Sequence, residues 1–255
     1  MKHFRDLLNE NRKFMGTILQ FPCPEIVEIL KEAGSDYIII DNEHSFATTA
    51  QTVAMLRAAQ SVDLPAMVRV PKIDEDVIKK VLDMGFDAIR VPTVSTAEQA
   101  RQIVRFAKFA PEGDRGACPF VRANDFGGRD QTAYYENANK QLVIAVNIEG
   151  EEGVKHMEEI IATPGIDIVN VGRVDLSVAC GVPGQTRHPL VEQAVRRVSE
   201  LCLQYGKCSG TYIEKPEDAA KYKDCPGITD FLTVTPESVL IRGYRQLYSA
   251  VRENM

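Results

Sequence analysis

A regular alternation of short apolar runs with segments of helical periodicity most constrains how this chain can fold. Eight runs rich in Val, Ile and Leu recur along the sequence. They are Met15–Gln20, Tyr37–Asp41, Ala66–Val70, Ala88–Val91, Leu142–Ile148, Ile168–Val171, Cys208–Tyr212 and Phe231–Val234. Between the runs, apolar residues return every three or four positions, as at Ile26, Ile29 and Leu30. The pattern predicts alternating strands and helices.

The composition of the runs favours a closed barrel. Nearly continuous apolar strands are typical of parallel sheets whose faces are both covered. No G-x-G-x-x-G motif follows the first run, which argues against a doubly wound nucleotide-binding sheet. A length of 255 residues suits one complete (β/α)₈ barrel. We therefore predict a single-domain α/β protein, a (β/α)₈ TIM barrel over residues 1–255, with a long functional loop at about 110–140.

Charge and composition exclude several classes of partner. A net charge of -6 argues against a nucleic-acid-binding or anionic-membrane surface, which needs clustered Lys and Arg. No run reaches the ~18 apolar residues of a membrane span, and the N-terminal residues do not form a signal peptide. Six cysteines have neither metal-finger spacing nor the density of a disulfide scaffold. These features predict a cytoplasmic protein with small-molecule partners.

Titratable residues follow the second and third runs, where a barrel places its active site. The second run ends in Asp41-Asn42-Glu43-His44, and a histidine flanked by carboxylates suits proton abstraction near neutral pH. Arg69 interrupts the third apolar run. It either holds an oxygen of a keto acid and stabilises an enolate, or pairs with Asp41 or Glu43.

Two further carboxylates follow the fifth and sixth runs, at Glu149 and Asp175. Each would cap a helix if taken alone. Together they form a donor set that suits Mg²⁺ or Mn²⁺, because the remaining coordination positions are left to water and substrate oxygens. Gly172 would let backbone N–H groups approach an anion, such as the carboxylate of a keto acid.

Six motifs, in this order and spacing, resemble the HpcH/HpaI family of metal-dependent pyruvate aldolases. They are Asp41-Asn42-Glu43-His44 (the D-x-E-H of the family), Val68-Arg69-Val70-Pro71, Gly85-Phe86-Asp87-Ala88-Ile89-Arg90-Val91-Pro92, Gly113-Asp114-Arg115-Gly116, Ile148-Glu149 and Val171-Gly172-Arg173-Val174-Asp175-Leu176-Ser177. The resemblance covers most of the chain. It implies a (β/α)₈ barrel that assembles as a homohexamer.

The resemblance also implies roles for individual residues. His44 would be the general base and Arg69 would stabilise the enolate, with Asp41 in the same catalytic group. Asp83 would raise the basicity of the histidine. In relatives the corresponding residue acts on the histidine of a neighbouring subunit. Glu149 and Asp175 would bind the metal, with Mg²⁺ expected first and Mn²⁺ or Co²⁺ as alternatives.

The remaining positions would contact the substrate. Asn147 stands where the family has a glutamine that touches the substrate, and Gly172, Val174 and Asp175 fall where backbone and side chain meet the keto acid. Two departures bear on the substrate. Asn147 is one methylene shorter than glutamine, and Arg173 replaces the usual proline.

The predicted reaction is cleavage of a 4-hydroxy-2-oxo acid to pyruvate and an aldehyde. A base derived from His44, acting directly or through a water on the metal, would take the proton of the 4-hydroxyl group. One rival is decarboxylation of an oxaloacetate-like acid, and another is a non-catalytic keto-acid-binding protein. An apolar stripe in the C-terminal helix, which includes Val239, Leu240, Tyr244 and Leu247, is interpreted as intrachain core in preference to a subunit contact.

Overall fold

Eight parallel strands close into a barrel in the computed structural model, in chain order and with the last strand paired to the first. The strands are β1 (Phe14–Leu19), β2 (Tyr37–Asp41), β3 (Ala66–Arg69), β4 (Ala88–Val91), β5 (Val143–Ile148), β6 (Ile168–Val171), β7 (Cys208–Tyr212) and β8 (Phe231–Val234). The structure describes residues 2–10, 12–220, 222 and 230–255. All eight predicted strands are confirmed, and no bound moves by more than one residue. The predicted (β/α)₈ barrel is confirmed with them.

Helices alternate with the strands along the chain. They are α1 (Phe4–Leu8), α2 (Pro24–Glu32), α3 (Thr49–Ser61), α4 (Glu75–Asp83), α5 (Ala97–Ala107), a 3₁₀ helix (Arg122–Gly127), α6 (Gln131–Gln141), α7 (Glu151–Lys155), α8 (Met157–Ala162), α9 (Arg173–Ala179), α10 (Pro189–Gln204), α11 (Pro216–Ala220) and α12 (Pro236–Glu253). Capping boxes start α3 at Thr48 and α5 at Thr96, because each threonine is followed three residues later by a glutamine that bonds back to it.

Side chains inside the barrel change character from one end to the other. The amino ends of the strands are filled by Phe14, Tyr37 and Phe231, and Phe4 of α1 stacks on Phe231 and packs edge-on against Tyr37. Phe4 is fully buried. Helix α1 therefore closes the bottom of the barrel with an aromatic layer.

At the carboxyl ends of the strands the interior becomes polar. Residues on alternate positions of the same strands pack outward against the helices, so the intervening ones point inward. The inward residues of this layer are Asp41, Arg69, Arg90, Asn147 and Asn170, and all are buried. The polar layer forms the floor of the barrel mouth.

The stretch at 110–140 is more regular than the sequence predicts. After α5 it has no regular element up to Val121, the 3₁₀ helix is interrupted by left-handed φ values at Asp125 and Phe126, and α6 forms most of the last third. The prediction of one long loop is wrong in this respect. Helix α6 is polar along most of its length and buries only Tyr134 and Asn139, so it carries no apolar stripe that would reveal it. A functional role for this stretch stays a prediction.

Helix α12 leaves its apolar residues exposed. Between 41% and 56% of each of the following side chains is accessible: Val239, Leu240, Ile241, Tyr244, Leu247, Tyr248 and Val251. We call these seven residues the apolar face of α12. The interpretation of this stripe as intrachain core is wrong, because Pro236 is the buried residue among those described in the helix. No helix in the described ranges is long and apolar enough to cross a membrane.

Candidate active site

An ion pair between Asp41 and Arg69 lies at the carboxyl ends of β2 and β3, where the two residues are register partners. Arg69 Nε donates to Asp41 Oδ1 at 2.8 Å, and Nη2 donates to Oδ2 at 2.7 Å. Burial by itself would raise the pKa of Asp41, but the bonds from Arg69 outweigh it and the pKa is lowered. The bidentate contact fixes the plane of the guanidinium.

Glu43 and His44 continue from β2 at the rim of the mouth. Glu43 Oε2 lies 3.1 Å from Arg69 Nη1 and 3.8 Å from His44 Nε2. Burial raises the pKa of Glu43, and the nearby charge of Glu149 acts in the same direction. The His44 side chain is 59% exposed, so its ring lies at the surface of the rim in a single chain. Arg69 thus pairs with both Asp41 and Glu43, one of the two alternatives that the sequence left open.

Glu149 extends from the end of β5 into the same region and is buried. Its Oε1 accepts hydrogen bonds from the backbone N–H and the hydroxyl of Thr93, at 2.7 and 2.9 Å. Its Oε2 accepts from Asn147 Nδ2 at 3.0 Å. Thr93 has a left-handed φ of 54°, which is uncommon for a β-branched residue. Three donors therefore hold the Glu149 carboxylate.

Gly172 lies directly beside this carboxylate. A Cβ at position 172 would come within 2.3 Å of Glu149 Oε2, so glycine is the residue that allows the contact. Gly172 is the N-cap of α9, and Val174 and Asp175 lie in the first turn of that helix, both exposed. Glu149 and the start of α9 therefore adjoin each other.

The donor set at Glu149 and Asp175 fits a hard divalent cation. Both groups offer carboxylate oxygens, which Mg²⁺ and Mn²⁺ prefer. Glu149 Oε2 accepts a single hydrogen bond among the described residues, which leaves it a further lone pair. No group of three or more His, Cys, Asp and Glu side chains forms a metal cage within the described ranges. A cation at this place would take most of its ligands from water and substrate.

Arg173 points away from the mouth. Its Nε donates to Thr211 Oγ1 at 2.9 Å, and Nη1 lies 2.9 Å from Glu192 Oε1. It also donates to the carbonyl of Thr186 and the hydroxyl of Tyr222. The arginine at the position of the family's proline is therefore a buried anchor that ties the start of α9 to β7 and α10.

Asp83 is distant from the other predicted site residues in a single chain. It is the last residue of α4, which starts at the mouth and runs back to the amino end of the barrel. There Asp83 Oδ1 accepts from Arg115 Nη2 at 2.7 Å. One chain thus brings together His44, Arg69, Asp41, Asn147, Glu149 and Gly172 around the mouth, but not Asp83.

The other three histidines contact residues that do not belong to the predicted site. His3 contacts Asp87 beside α1, and His188 caps α10 through a bond from the Leu190 N–H. His156 lies between α7 and α8 near two glutamates. Five described cysteines are free thiols, and Cys225 lies outside the described residues.

Sequence reasoning missed three residues of the mouth as site residues. Glu43 stands inside the D-x-E-H motif and was predicted as a partner of His44 or Arg69 only. Arg90 interrupts an apolar run in the same way as Arg69, which was a usable signal. Thr93 gave no signal, because its contact with Glu149 joins residues 56 positions apart.

Barrel and site together define a (β/α)₈-barrel protein with carboxylates, a guanidinium group and an imidazole at the mouth. The model of the HpcH/HpaI aldolase/citrate lyase family matches residues 19–223, and the chain belongs to this family. The predicted family is thereby confirmed, and so is the predicted class of enzyme, an aldolase-type lyase of carbon–carbon bonds. Enzymes of this family generally depend on a divalent metal.

Two curated relatives and one solved structure illustrate the similarity. The 5-keto-4-deoxy-D-glucarate aldolase of Klebsiella pneumoniae subsp. pneumoniae is 37% identical over 219 residues, 86% of this chain and 85% of that protein. The hydroxypyruvate/pyruvate aldolase of Delftia acidovorans is 34% identical over 222 residues, 87% of this chain and 82% of that protein. The crystal structure of an HpcH/HpaI aldolase/citrate lyase family protein from Burkholderia cenocepacia J2315 superimposes with a TM-score of 0.90 at 33% identity, and covers 97% of this chain and 98% of that one.

Proposed function

We propose that this chain is a divalent-metal-dependent aldolase that cleaves a 4-hydroxy-2-oxo acid to pyruvate and an aldehyde. The observation that carries the proposal is the convergence of Arg69, Glu43 and the buried Glu149 carboxylate on one polar mouth. The names of the two curated relatives support a keto-acid substrate.

In this proposal Glu149 and Asp175 hold the cation, which is Mg²⁺ or, as alternatives, Mn²⁺ or Co²⁺. A bound divalent cation would supply Lewis-acid polarisation of the 2-oxo group. Gly172 keeps the Glu149 carboxylate against the start of α9, where Val174 and Asp175 face the keto acid. Asn147 orients Glu149 and contacts the substrate from below.

In the proposed reaction His44 transfers the proton, and Arg69 stabilises the negative charge. His44 accepts the proton of the 4-hydroxyl group, the C3–C4 bond breaks, and the aldehyde leaves. The electron pair of that bond forms the enolate of pyruvate, which is protonated at C3. Arg69 has five N–H donors, of which three are engaged by Asp41 and Glu43, so two remain for the enolate oxygen.

We also propose that the active protein is a homo-oligomer, a hexamer by resemblance. The apolar face of α12 supports self-association, because contiguous exposed apolar surface of this kind marks interaction sites. Asp83 would then act on His44 of a neighbouring subunit, since the two residues lie at opposite ends of the barrel in a single chain.

An assay of pyruvate release tests the function. The purified protein is given a panel of 4-hydroxy-2-oxo acids and, separately, oxaloacetate, with Mg²⁺, Mn²⁺ or Co²⁺. We expect metal-dependent cleavage that His44→Ala lowers by about 100-fold or more. His156→Ala is the matched control, because this exposed histidine lies on the outer helices.

Other outcomes would separate the rivals. Turnover of oxaloacetate alone would favour a decarboxylase, and binding of keto acids without any turnover would favour a non-catalytic binding protein. Borohydride reduction in the presence of pyruvate should label no lysine, and a labelled lysine would refute the metal-dependent mechanism.

A further inference from the structure

Arg90 is a second arginine inside the barrel, one strand away from Arg69. It lies on β4, in register with Arg69 on β3 and with Ala145 on β5. Its side chain points inward and only 7% of the residue is exposed. No step of the proposed cleavage involves Arg90.

This buried cation has no carboxylate partner within the described ranges. Its described hydrogen bond runs from Nε to Asn147 Oδ1, at 2.6 Å. Asp41 and Glu43 are engaged by Arg69 instead. Burial and the neighbouring charge of Arg69 lower the pKa of Arg90 to about 10, although Tyr37, Glu149 and Asp41 act in the opposite direction without bonding to it, so the group still carries its charge at neutral pH. A buried charge that lacks a counter-ion is costly to the folded protein.

The terminal nitrogens of Arg90 open toward the mouth. In the described part of the chain they have no acceptor, yet neither is among the buried side-chain atoms that lack a partner, so both keep some access to solvent. The aromatic layer of Phe4, Tyr37 and Phe231 closes the barrel beneath them. The accessible part of the guanidinium therefore faces the hollow above, between Arg69 and Asn147.

We propose that Arg90 binds the carboxylate group of the 2-oxo acid through its terminal nitrogens, from the floor of the site. A planar carboxylate matches the fork of N–H donors on a guanidinium and supplies the missing negative charge. The proposal rests on the proposed function, since it takes the keto acid of that reaction as the ligand. It makes Arg90 a substrate-binding residue, separate from Arg69 and the metal ligands.

Calorimetric titration of pyruvate into Mn²⁺-saturated protein tests this assignment. Arg90→Met removes the charge and keeps an unbranched apolar side chain in place of the aliphatic part of the arginine. Loss of a charged hydrogen bond is worth about 1.5–3 kcal/mol, so pyruvate affinity should fall about 10- to 100-fold. Arg90→Lys should show a smaller loss. Arg101→Met, at an exposed arginine of α5, is the control and should bind pyruvate as the wild type does.

Mn²⁺ affinity, measured by electron paramagnetic resonance without pyruvate, supplies the second readout. We expect Arg90→Met to bind Mn²⁺ within about threefold of the wild type, because Arg90 contacts neither proposed metal ligand and Asn147 keeps its own hydrogen bond to Glu149. Unchanged pyruvate affinity would overturn the assignment, and so would an equal loss of Mn²⁺ affinity. Wild-type protein that neither binds nor cleaves any 2-oxo acid would refute the proposed function itself, and the Arg90 assignment with it.

Discussion

The absence of a side chain at position 172 decides how closely Glu149 can approach α9. Gly172 has a φ of -76°, which alanine also adopts, so its role here is steric and does not depend on the backbone freedom of glycine. The Glu149 carboxylate fills the space that a Cβ would take.

We therefore expect Gly172→Ala to displace Glu149 while the barrel stays folded. A disturbed ligand environment typically costs about 10- to 100-fold in metal affinity, so Mn²⁺ binding and turnover should fall together by that order. Titration with Mn²⁺ measures the effect. Gly150→Ala is the matched control, because a Cβ there meets nothing within 4 Å. Equal Mn²⁺ affinity in the two variants would contradict the steric argument.

Individual site residues were predictable where they broke a local pattern. Arg69 interrupts an apolar strand, and Asp41 and Glu149 end one, so periodicity marked all three. The contacts that set their orientation join distant positions, as between Arg90 and Asn147, and no local pattern encodes them. The contacts of Arg173 with Thr211 and Glu192, which turn it away from the mouth, were hidden for the same reason.

Helix α1 shows how a five-residue element can matter to the whole barrel. Its Phe4 stacks on Phe231 at 5.8 Å and packs edge-on against Tyr37 at 5.5 Å. Removal of this ring would leave a cavity beneath the polar floor. We expect Phe4→Ala to lower the free energy of unfolding by about 3–5 kcal/mol, measured by urea denaturation. Phe120→Ala, at a ring that is 71% exposed, should change it by less than about 0.5 kcal/mol.

The contact between His3, which directly precedes α1, and Asp87 makes the packing of α1 against the barrel depend on pH. His3 Nδ1 lies 2.6 Å from Asp87 Oδ2, and this hydrogen bond raises the pKa of His3 above 6.5. A raised pKa in the folded state gives stability that is fully present below the unfolded value and is lost as pH rises through the folded one.

Thermal unfolding of His3→Gln against the wild type measures this contribution. The wild type should be the more stable protein at about pH 6, and the difference in Tm should shrink by about pH 9. A difference that grows with pH would contradict the assignment. Asp87→Asn should show the same trend, since it removes the other partner.

Strands were easier to predict than the surroundings of the helices. Each barrel strand is buried on both faces, so the sequence marks it with a compact apolar run, as at Tyr37–Asp41. An amphipathic helix reveals that one face is apolar, but not what covers that face. Helix α12 was assigned to the core for this reason, and α6 escaped detection because it has no apolar face.

At the scale of the whole molecule, α12 is the clearest sign of an assembly. We expect Leu247→Glu to shift the protein toward smaller species in light scattering, because it places a charge in the apolar face of α12. Gln246→Glu introduces the same charge one position away and should leave the mass unchanged. An unaltered mass for Leu247→Glu at the same concentration would argue against this helix as the interface.

The position of Asp83, at the far end of α4 from the mouth, allows genetic complementation between defective chains. If each site borrows Asp83 from its neighbour, His44→Ala and Asp83→Ala are inactive for different reasons. Hybrid assemblies are made by mixing equal amounts of the two variants, dissociating them and letting them reassociate. By random assortment about a quarter of the sites should then contain both an intact His44 and an intact Asp83, and activity should return in that proportion. Each variant alone should be inactive at any protein concentration.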